Sequence, residues 1–311
     1  MADLSVSFCG IKAPNPFWLA SAPPTDKAYN IVRAFKAGWG GVVWKTLGED
    51  PPIVNVSGPR YGAIHSNDRR VIGFNNVELI TDRPLDTNLS EIRQVKRDWP
   101  DRALVVSVML PMKPEVWAKY VPMIEDTGAD ALELNFGCPH GMSERGMGSA
   151  VGQVPEYIRQ ATEWCKSAAR VPVVIKLTPN VTNILGPAKA AKDGGADAVS
   201  LINTLRAYAP HPRSPGTPWL GGGTGGLSGP AIRAVALAQV RAVAQRVSIP
   251  IVGMGGVQTG RHAAQLLDAG ATLVAVGTES FRDPAAGTRI QHELHHLFAK
   301  SGNIVNRCAD V

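Results

Sequence analysis

The most constraining feature of this chain is a pattern, repeated four times, in which a glycine is followed at once by a short apolar run. The four copies are Ala37–Lys45, Thr127–Asn135, Gly194–Asn203 and Ala269–Gly277. Glycine is typical of the position just after a helix, because it adopts the left-handed conformation at low cost. An uninterrupted apolar run is typical of a strand buried on both faces of a parallel sheet. Each copy therefore predicts a helix that leads directly into a buried strand.

Four more apolar runs bounded by turn residues are Phe17–Ala20, Ala103–Val108, Val171–Lys176 and Ile249–Gly253. Helical spacing of apolar residues is clearest in Ala28–Lys36, Pro114–Asp126, Pro155–Arg170, Ala231–Arg246, Arg261–Asp268 and Ala285–Lys300. Eight strands that alternate with helices predict an α/β fold, a (β/α)8 TIM barrel with long active-site loops. A doubly wound open sheet is the alternative, but it normally has fewer strands, and no G-x-G-x-x-G motif opens the first helix.

Length and composition fit one barrel, so residues 1–311 are predicted to form a single domain. The formal net charge of +6 comes from scattered lysines and arginines, which argues against nucleic-acid binding and suits an anionic ligand such as a phosphate. No signal-like segment or membrane-length apolar run is present, which predicts a cytoplasmic protein that does not bind membranes.

The four cysteines, at positions 9, 138, 165 and 308, are far apart and form no C-x-x-C motif. Their spacing predicts neither a metal site nor an iron–sulfur domain in this chain. Cys138 is distinctive because it follows the apolar run 131–134 in a loop that also contains His140 and several glycines. This placement predicts an acid or base on a lid loop. The alternative is an inert structural cysteine, since free cysteines are usually buried.

In a (β/α)8 barrel the chemistry lies at the C-terminal ends of the strands. The polar or glycine residues predicted there are Ala20, Ser21, Lys45, Thr46, Asn135, Lys176, Asn203, Thr204, Gly255, Gly256, Gly277 and Thr278. Lys45 and Lys176 both end apolar strands, where a cation needs an anionic partner unless its amine reaches water. A reduced flavin, negatively charged at its N1/O2 edge, would be a suitable partner.

Three long insertions, residues 47–86, 139–153 and 205–229, interrupt the pattern and are expected to be functional. The first contains Gly73–Ile80, whose two asparagines and one carboxylate suit hydrogen bonding to a heterocycle, although Asn-Asn is also common in turns. The third contains the glycine run Gly221–Pro230, which precedes a helix and predicts part of a phosphate cradle. The glycines near positions 255 and 277 would complete that cradle.

Taken together, these residues resemble the class 1 dihydroorotate dehydrogenase and dihydropyrimidine dehydrogenase superfamily of FMN barrels over nearly the whole chain. The segments similar to the pyrimidine-reducing subunit of bacterial dihydropyrimidine dehydrogenase are Ala20–Pro24, Trp44–Thr46, Asn75–Ile80 and Asn135–Gln153. The segments similar to class 1B dihydroorotate dehydrogenases are Gly225–Ile232, Ile251–Val257 and Ala275–Thr278.

The resemblance implies FMN as cofactor, Cys138 as the general acid/base at C5 of a pyrimidine, and hydride exchange between flavin N5 and C6. The implied substrate residues are Asn76, Glu78, Ile80, Asn135, His140, Asn203 and Thr204. The implied FMN residues are Ala20, Ser21, Lys45, Thr46, Asn135, Lys176, Asn203, Gly226, Ser228, Gly229, Gly255, Gly256, Gly277 and Thr278. A thiol suits the proton transfer, because its unperturbed pKa of about 8.5 is close to working pH.

Two positions favour uracil or thymine over orotate. In dihydroorotate dehydrogenases the Cys-Pro pair is usually followed by an asparagine that helps hold the orotate carboxylate, whereas this chain has His140. An ionised, unpaired Glu78 would repel orotate but could accept an N–H of a neutral pyrimidine. The prediction is thus interconversion of a pyrimidine and its 5,6-dihydro form. The alternatives are dihydroorotate oxidation and a non-catalytic flavin- or phosphate-binding barrel.

This sequence differs from the family pattern in two ways, one that affects the route of the electrons and one that affects a contact near the flavin or substrate. Dihydropyrimidine dehydrogenases carry a C-terminal segment of clustered cysteines that this sequence lacks, and Gly137 replaces a serine of some relatives. Electrons are therefore expected to pass to or from a partner subunit with FAD and iron–sulfur clusters, or a soluble acceptor. A homodimer or a hetero-oligomer is expected.

Overall fold

The computed structural model, which describes residues 4–139 and 142–301, is built around a closed barrel of eight parallel strands. The barrel strands are β1 (Phe17–Leu19), β2 (Gly41–Leu47), β3 (Ala103–Val108), β4 (Ala131–Asn135), β5 (Val173–Lys176), β6 (Ala198–Leu201), β7 (Ile251–Met254) and β8 (Leu273–Val276). They pair in chain order, and β8 closes on β1 with Val274 beside Phe17. All eight predicted strands are confirmed, and closure excludes the open sheet.

One main helix follows each strand. These helices are α1 (Ala28–Lys36), α2 (Leu85–Asp98), α3 (Pro114–Glu125), α4 (Pro155–Ala168), α5 (Leu185–Asp193), α6 (Arg233–Arg246), α7 (Gly260–Asp268) and α8 (Ala286–Ser301). The six predicted helices are confirmed to within two residues at each end. α2 and α5 carry weaker sequence signals, because α2 is mostly polar outside its buried stripe and α5 contains a glycine and a proline.

The glycines that precede four strands do have the conformation that the repeated pattern predicts. Gly38, Gly128, Gly195 and Gly270 have φ values of +88°, +85°, +90° and +109°. This left-handed geometry ends each helix and turns the chain into the next strand. Among the described helices, none combines the length and the apolar character that crossing a membrane requires.

The barrel is plugged at its N-terminal end by a hairpin of the strands Val6–Phe8 and Ile11–Ala13. Phe8 lies edge-on to Trp18 inside the barrel, with ring centroids 5.7 Å apart. Near the hairpin turn, the Cys9 thiol donates to the carbonyl oxygen of Asp197 at 3.5 Å. Because apolar side chains fill this end, the open end of the described barrel is the one at the C-terminal ends of the strands.

Two of the long insertions form one antiparallel sheet over that open end. Its strands, in spatial order, are Leu205–Tyr208, Thr224–Ser228, Val71–Asn76 and Tyr61–His65, and we call them the cap sheet. The glycine run Gly221–Pro230, predicted to be part of a phosphate cradle, is divided between this sheet and the barrel mouth. Its Thr224–Ser228 part pairs with both neighbouring strands, which uses its backbone groups in the sheet. Only the segment from Ser228 to Pro230 reaches the barrel mouth.

Candidate active site

A cavity of about 360 Å³ lies between the C-terminal ends of the barrel strands and the cap sheet. Most of the predicted site residues line it. They are Ala20, Ser21, Lys45, Thr46, Asn76, Glu78, Asn135, Cys138, Lys176, Asn203, Thr204, Ser228, Gly229, Gly255, Gly256, Gly277 and Thr278. The barrel brings them together because parallel strands place all their carboxyl ends at one rim.

Some predicted residues lie elsewhere. Ile80 is outside the cavity lining and packs in an apolar cluster beside the cavity. Gly226 is also outside the cavity lining, because it pairs within the cap sheet. A side chain at this position would overlap the hydroxyl of Thr204. Of the two adjacent asparagines only Asn76 lines the cavity, whereas Asn75 is fully buried. His140 lies outside the described residues.

Lys45 is buried, and its ammonium forms an ion pair with the carboxylate of Glu78. The two side chains are 7% and 15% exposed. The Tyr61 hydroxyl, from the cap sheet, donates to the other oxygen of the same carboxylate. Burial alone would raise the pKa of Glu78, but the Lys45 charge and these hydrogen bonds hold that pKa below its usual range. Burial, then the Glu78 carboxylate, raise the pKa of Tyr61, so the phenol stays protonated at neutral pH.

Lys176 also meets a carboxylate inside the barrel. Its Nζ lies 3.6 Å from Oε1 of Glu133, and the two side chains are 6% and 3% exposed. The Ser200 hydroxyl donates to Oε2 of Glu133 at 2.8 Å. Each lysine therefore has the anionic partner that its burial requires, but the protein itself supplies that partner. The sequence signal for Glu133 is its position as the one charged residue in the run 131–134.

Polar side chains at three strand ends, two amides and one hydroxyl, form one hydrogen-bonded network. Asn135 accepts from Asn203 Nδ2 at 3.1 Å and from the Gly137 amide at 3.2 Å, and it donates to Thr46 Oγ1 at 3.0 Å. Asn203 in turn accepts from the Thr204 amide at 2.7 Å. These contacts fix the direction of each amide group. The cavity therefore presents donors and acceptors in a fixed order, which suits the carbonyl and N–H groups of a planar ring.

The Cys138 thiol both lines the cavity and packs in an apolar environment. The residue is 8% exposed and belongs to a cluster with Ile80, Met142 and Met147. Its Sγ lies 3.9 Å from the carbonyl oxygen of Glu78, to which it can donate. Sequence reasoning missed the methionines, which follow Cys138 in the same loop. Burial and cavity lining are thus combined in one residue.

The base of the Cys138 loop has no space for a side chain at Gly152. A Cβ there would overlap the carbonyl oxygen of Phe136, and the short helix Ser149–Gly152 holds this contact. We expect Gly152→Ala to lower the free energy of unfolding by about 1–3 kcal/mol through overpacking. Urea denaturation measures the change. The matched control is Gly186→Ala in α5, where the nearest atom would be 3.6 Å away and helix propensity favours alanine. Equal stability of the two variants would contradict the expected overlap.

A glycine-lined surface lies opposite the thiol, where β7 and β8 end. Gly255 and Gly256 have φ values of +130° and +71°, and a Cβ on Gly256 would lie 2.9 Å from the carbonyl oxygen of Gly229. Beside them the Thr278 hydroxyl donates to Ser228 Oγ at 2.8 Å. Backbone amides and hydroxyls without bulky side chains suit an anion such as a phosphate. The residues present therefore fit the phosphate end of FMN.

Three aromatic rings line the outer side of the cavity, and sequence reasoning missed all three. Tyr61 and Phe74 stack with centroids 5.4 Å apart, and Phe281 lies 5.3 Å from Phe74. The first two belong to the cap sheet and the third to the short helix Glu279–Arg282. Tyr61 and Phe74 meet through the pairing of consecutive strands, whereas Phe281 joins them from a distant segment, so no local pattern marks the cluster as a whole. They give the cavity an apolar wall that suits a planar ring system.

Comparisons with known proteins identify close relatives. A protein-family model described as dihydroorotate dehydrogenase matches residues 3–298. The chain is 39% identical to the chloroplastic dihydropyrimidine dehydrogenase (NADP(+)) of Arabidopsis thaliana, over 89% of this chain and 68% of that one. It is 38% identical to the NAD-dependent dihydropyrimidine dehydrogenase subunit PreA of Escherichia coli K12, with the same coverage. It is 35% identical to the catalytic subunit of dihydroorotate dehydrogenase B (NAD(+)) of Halalkalibacterium halodurans, over 100% of this chain and 97% of that one.

Solved structures share the fold. The crystal structure of ligand-free DHODH from Eimeria tenella superposes with a TM-score of 0.81 at 22% sequence identity. The match covers 98% of this chain and 90% of that one. At this identity the likeness supports the (β/α)8 barrel and nothing finer.

Proposed function

Because the chain belongs to the dihydroorotate dehydrogenase family, we propose that it is an FMN-dependent oxidoreductase that interconverts a pyrimidine, uracil or thymine, and its 5,6-dihydro form. The observation that carries the proposal is one cavity in which the Cys138 thiol faces a fixed amide network. The relatives named dihydropyrimidine dehydrogenase support the same reaction class, oxidation and reduction at a CH–CH group.

In this proposal Gly255, Gly256 and Thr278 would hold the phosphate of FMN, and Lys45 and Lys176 would hold its ring. When bound, FMN supplies the hydride chemistry at C6 of the pyrimidine. Glycine suits both positions, because a Cβ on Gly255 would overlap Ala236 of α6 and one on Gly256 would lie 2.9 Å from the carbonyl oxygen of Gly229. Tyr61, Phe74 and Phe281 would cover the bound ring system and exclude water.

The protein's own groups then perform the proton transfer. Asn76, Asn135 and Asn203 hydrogen-bond the carbonyl and N–H groups of the pyrimidine and hold it in one orientation. Cys138 Sγ gives a proton to C5 during reduction and removes it during oxidation. The methionines beside the thiol keep bulk water away from it. One thiol suffices for both directions, because the same atom is acid in one and base in the other.

A second candidate function is dihydroorotate oxidation. The observation that favours it is the match over 97% of the length of a dihydroorotate dehydrogenase B catalytic subunit. That relative and PreA are both named as subunits, which supports a partner protein for this chain. We propose a partner with FAD and iron–sulfur clusters that exchanges electrons with FMN, and a homodimer or hetero-oligomer as the assembly.

The purified protein is expected to be yellow and to lose its absorbance near 450 nm on anaerobic addition of dihydrouracil or dihydrothymine, with little response to dihydroorotate. Absorbance spectroscopy during titration with each compound measures this. Bleaching by dihydroorotate alone would reject the leading proposal in favour of the second. A colourless protein that does not take up FMN would reject both and leave a non-catalytic barrel.

A further inference from the structure

The contact that bears on substrate charge is the ion pair between Lys45 and Glu78. Lys45 is 5% exposed and lines the cavity, and its ammonium is bound to the Glu78 carboxylate. Tyr61 donates to the second oxygen of that carboxylate and so fixes its direction. Arg60 approaches the carboxylate as well, at 3.8 Å, but its side chain is 35% exposed. The buried cation at this wall is therefore already compensated by a buried anion.

This pair lies next to the reacting part of the cavity. The backbone carbonyl oxygen of Glu78 is 3.9 Å from Cys138 Sγ, so one residue contacts both the thiol and, through its side chain, Lys45. A ring placed against Cys138 therefore has the Lys45–Glu78 pair close by. A carboxylate on that ring would enter a low-dielectric site and would need a cation to offset its lost hydration. Lys45 is a poor partner for a substrate carboxylate while its ammonium is paired with the Glu78 carboxylate.

We propose that Glu78, held in place by Tyr61, is the residue that determines charge specificity, because it occupies Lys45 and so disfavours rings that carry a carboxylate. This inference rests on the proposed function and adds to it the reason for choosing neutral pyrimidines over orotate. It also revises the sequence interpretation of Glu78. The carboxylate acts through Lys45 rather than as an acceptor for a substrate N–H.

The test compares two ligands of similar shape and different charge, orotate and 6-methyluracil, which carry a carboxylate and a methyl group at the same ring position. Glu78→Gln keeps the shape of the side chain and an oxygen that can accept from Lys45, but removes the negative charge. We expect the Kd for orotate to fall by about 10-fold or more, equivalent to about 1.4 kcal/mol. The Kd for 6-methyluracil should change by less than about threefold. Perturbation of the FMN absorbance spectrum of the holoenzyme measures both.

Control variants separate local from general charge effects. Glu156→Gln on α4 makes the same charge change at an exposed residue outside the cavity lining and should leave both Kd values unchanged. If Glu78→Gln does not fold, Tyr61→Phe serves instead, because loss of the phenol loosens the carboxylate and should lower the Kd for orotate by about threefold. Unchanged orotate binding in the variant measured, or an equal gain for 6-methyluracil, would overturn the inference. The proposed function is judged separately, by which dihydro compound reduces the unaltered protein.

Discussion

Replacement of Cys138 by alanine is expected to lower kcat for pyrimidine reduction and for dihydropyrimidine oxidation by about 10²- to 10⁴-fold, the usual contribution of a positioned acid or base. The reason is that Cys138 lines the cavity together with Asn135 and Asn203, which we propose orient the ring. FMN content should stay the same, because the proposed phosphate site lies where β7 and β8 end, away from the Cys138 loop. Steady-state kinetics with dihydrouracil, together with the flavin absorbance per mole of protein, measure both effects.

Cys9→Ala is the matched control for this prediction. It removes a thiol at the opposite end of the barrel, where Cys9 contacts the carbonyl oxygen of Asp197. We expect kcat within about twofold of the unaltered protein, since mutations distant from the site leave transition-state contacts intact. Full turnover by Cys138→Ala would reject the thiol as acid/base. Equal losses in both variants would indicate a general effect of thiol removal instead.

Replacement of Lys176 by methionine is expected to lower the free energy of unfolding by about 3–5 kcal/mol, because it leaves the Glu133 carboxylate buried without its cation. Glu133 is 2% exposed, and within the described residues its Oε1 has no hydrogen-bond donor, which makes Lys176 its source of positive charge. Urea denaturation of the FMN-free protein measures the loss. The double variant Glu133→Gln, Lys176→Met should recover most of it, since a neutral amide costs less to bury than an uncompensated carboxylate.

Lys166→Met provides the control at a similar but solvated pair. Lys166 Nζ lies 2.7 Å from Asp197, and the side chains are 31% and 34% exposed. An exposed pair contributes about 1 kcal/mol or less, so this variant should change stability little. If the Lys176 and Lys166 variants lose equal stability, burial is not what makes the internal pair costly to break. If the double variant is as unstable as Lys176→Met alone, the uncompensated charge is not the cause.

The barrel could be predicted from the sequence because its signals are local. A glycine that ends a helix and an apolar run that forms a strand are each encoded within about ten residues, the range over which such patterns are read. The weakly marked helices α2 and α5 show the limit of that reasoning. α5 has nine residues that include Gly186 and Pro187, so packing against its neighbours rather than propensity forms it.

Part of the candidate site could be predicted for a similar reason. Once eight parallel strands are expected, Lys45, Asn135, Lys176 and Asn203 must lie at one rim, whatever the loops do. The cap sheet could not be predicted in this way, because it pairs Asn76 with Gly226, 150 residues further along the chain. That pairing removes Gly226 from the cavity lining, and it brings the neighbouring strand with Tyr61, which pairs with Asn76, over the barrel mouth.

The sequence by itself determined the barrel, the set of strand ends and a thiol beside them. It also placed two lysines where a cation must be compensated. Only the tertiary structure decided that the partners are Glu78 and Glu133, because an ion pair needs its two groups within about 4 Å and such closeness depends on packing between segments distant in the chain. From the sequence, Lys45 is expected to meet an anionic ligand, but in the structure it pairs with Glu78, so the two side chains together carry no net charge.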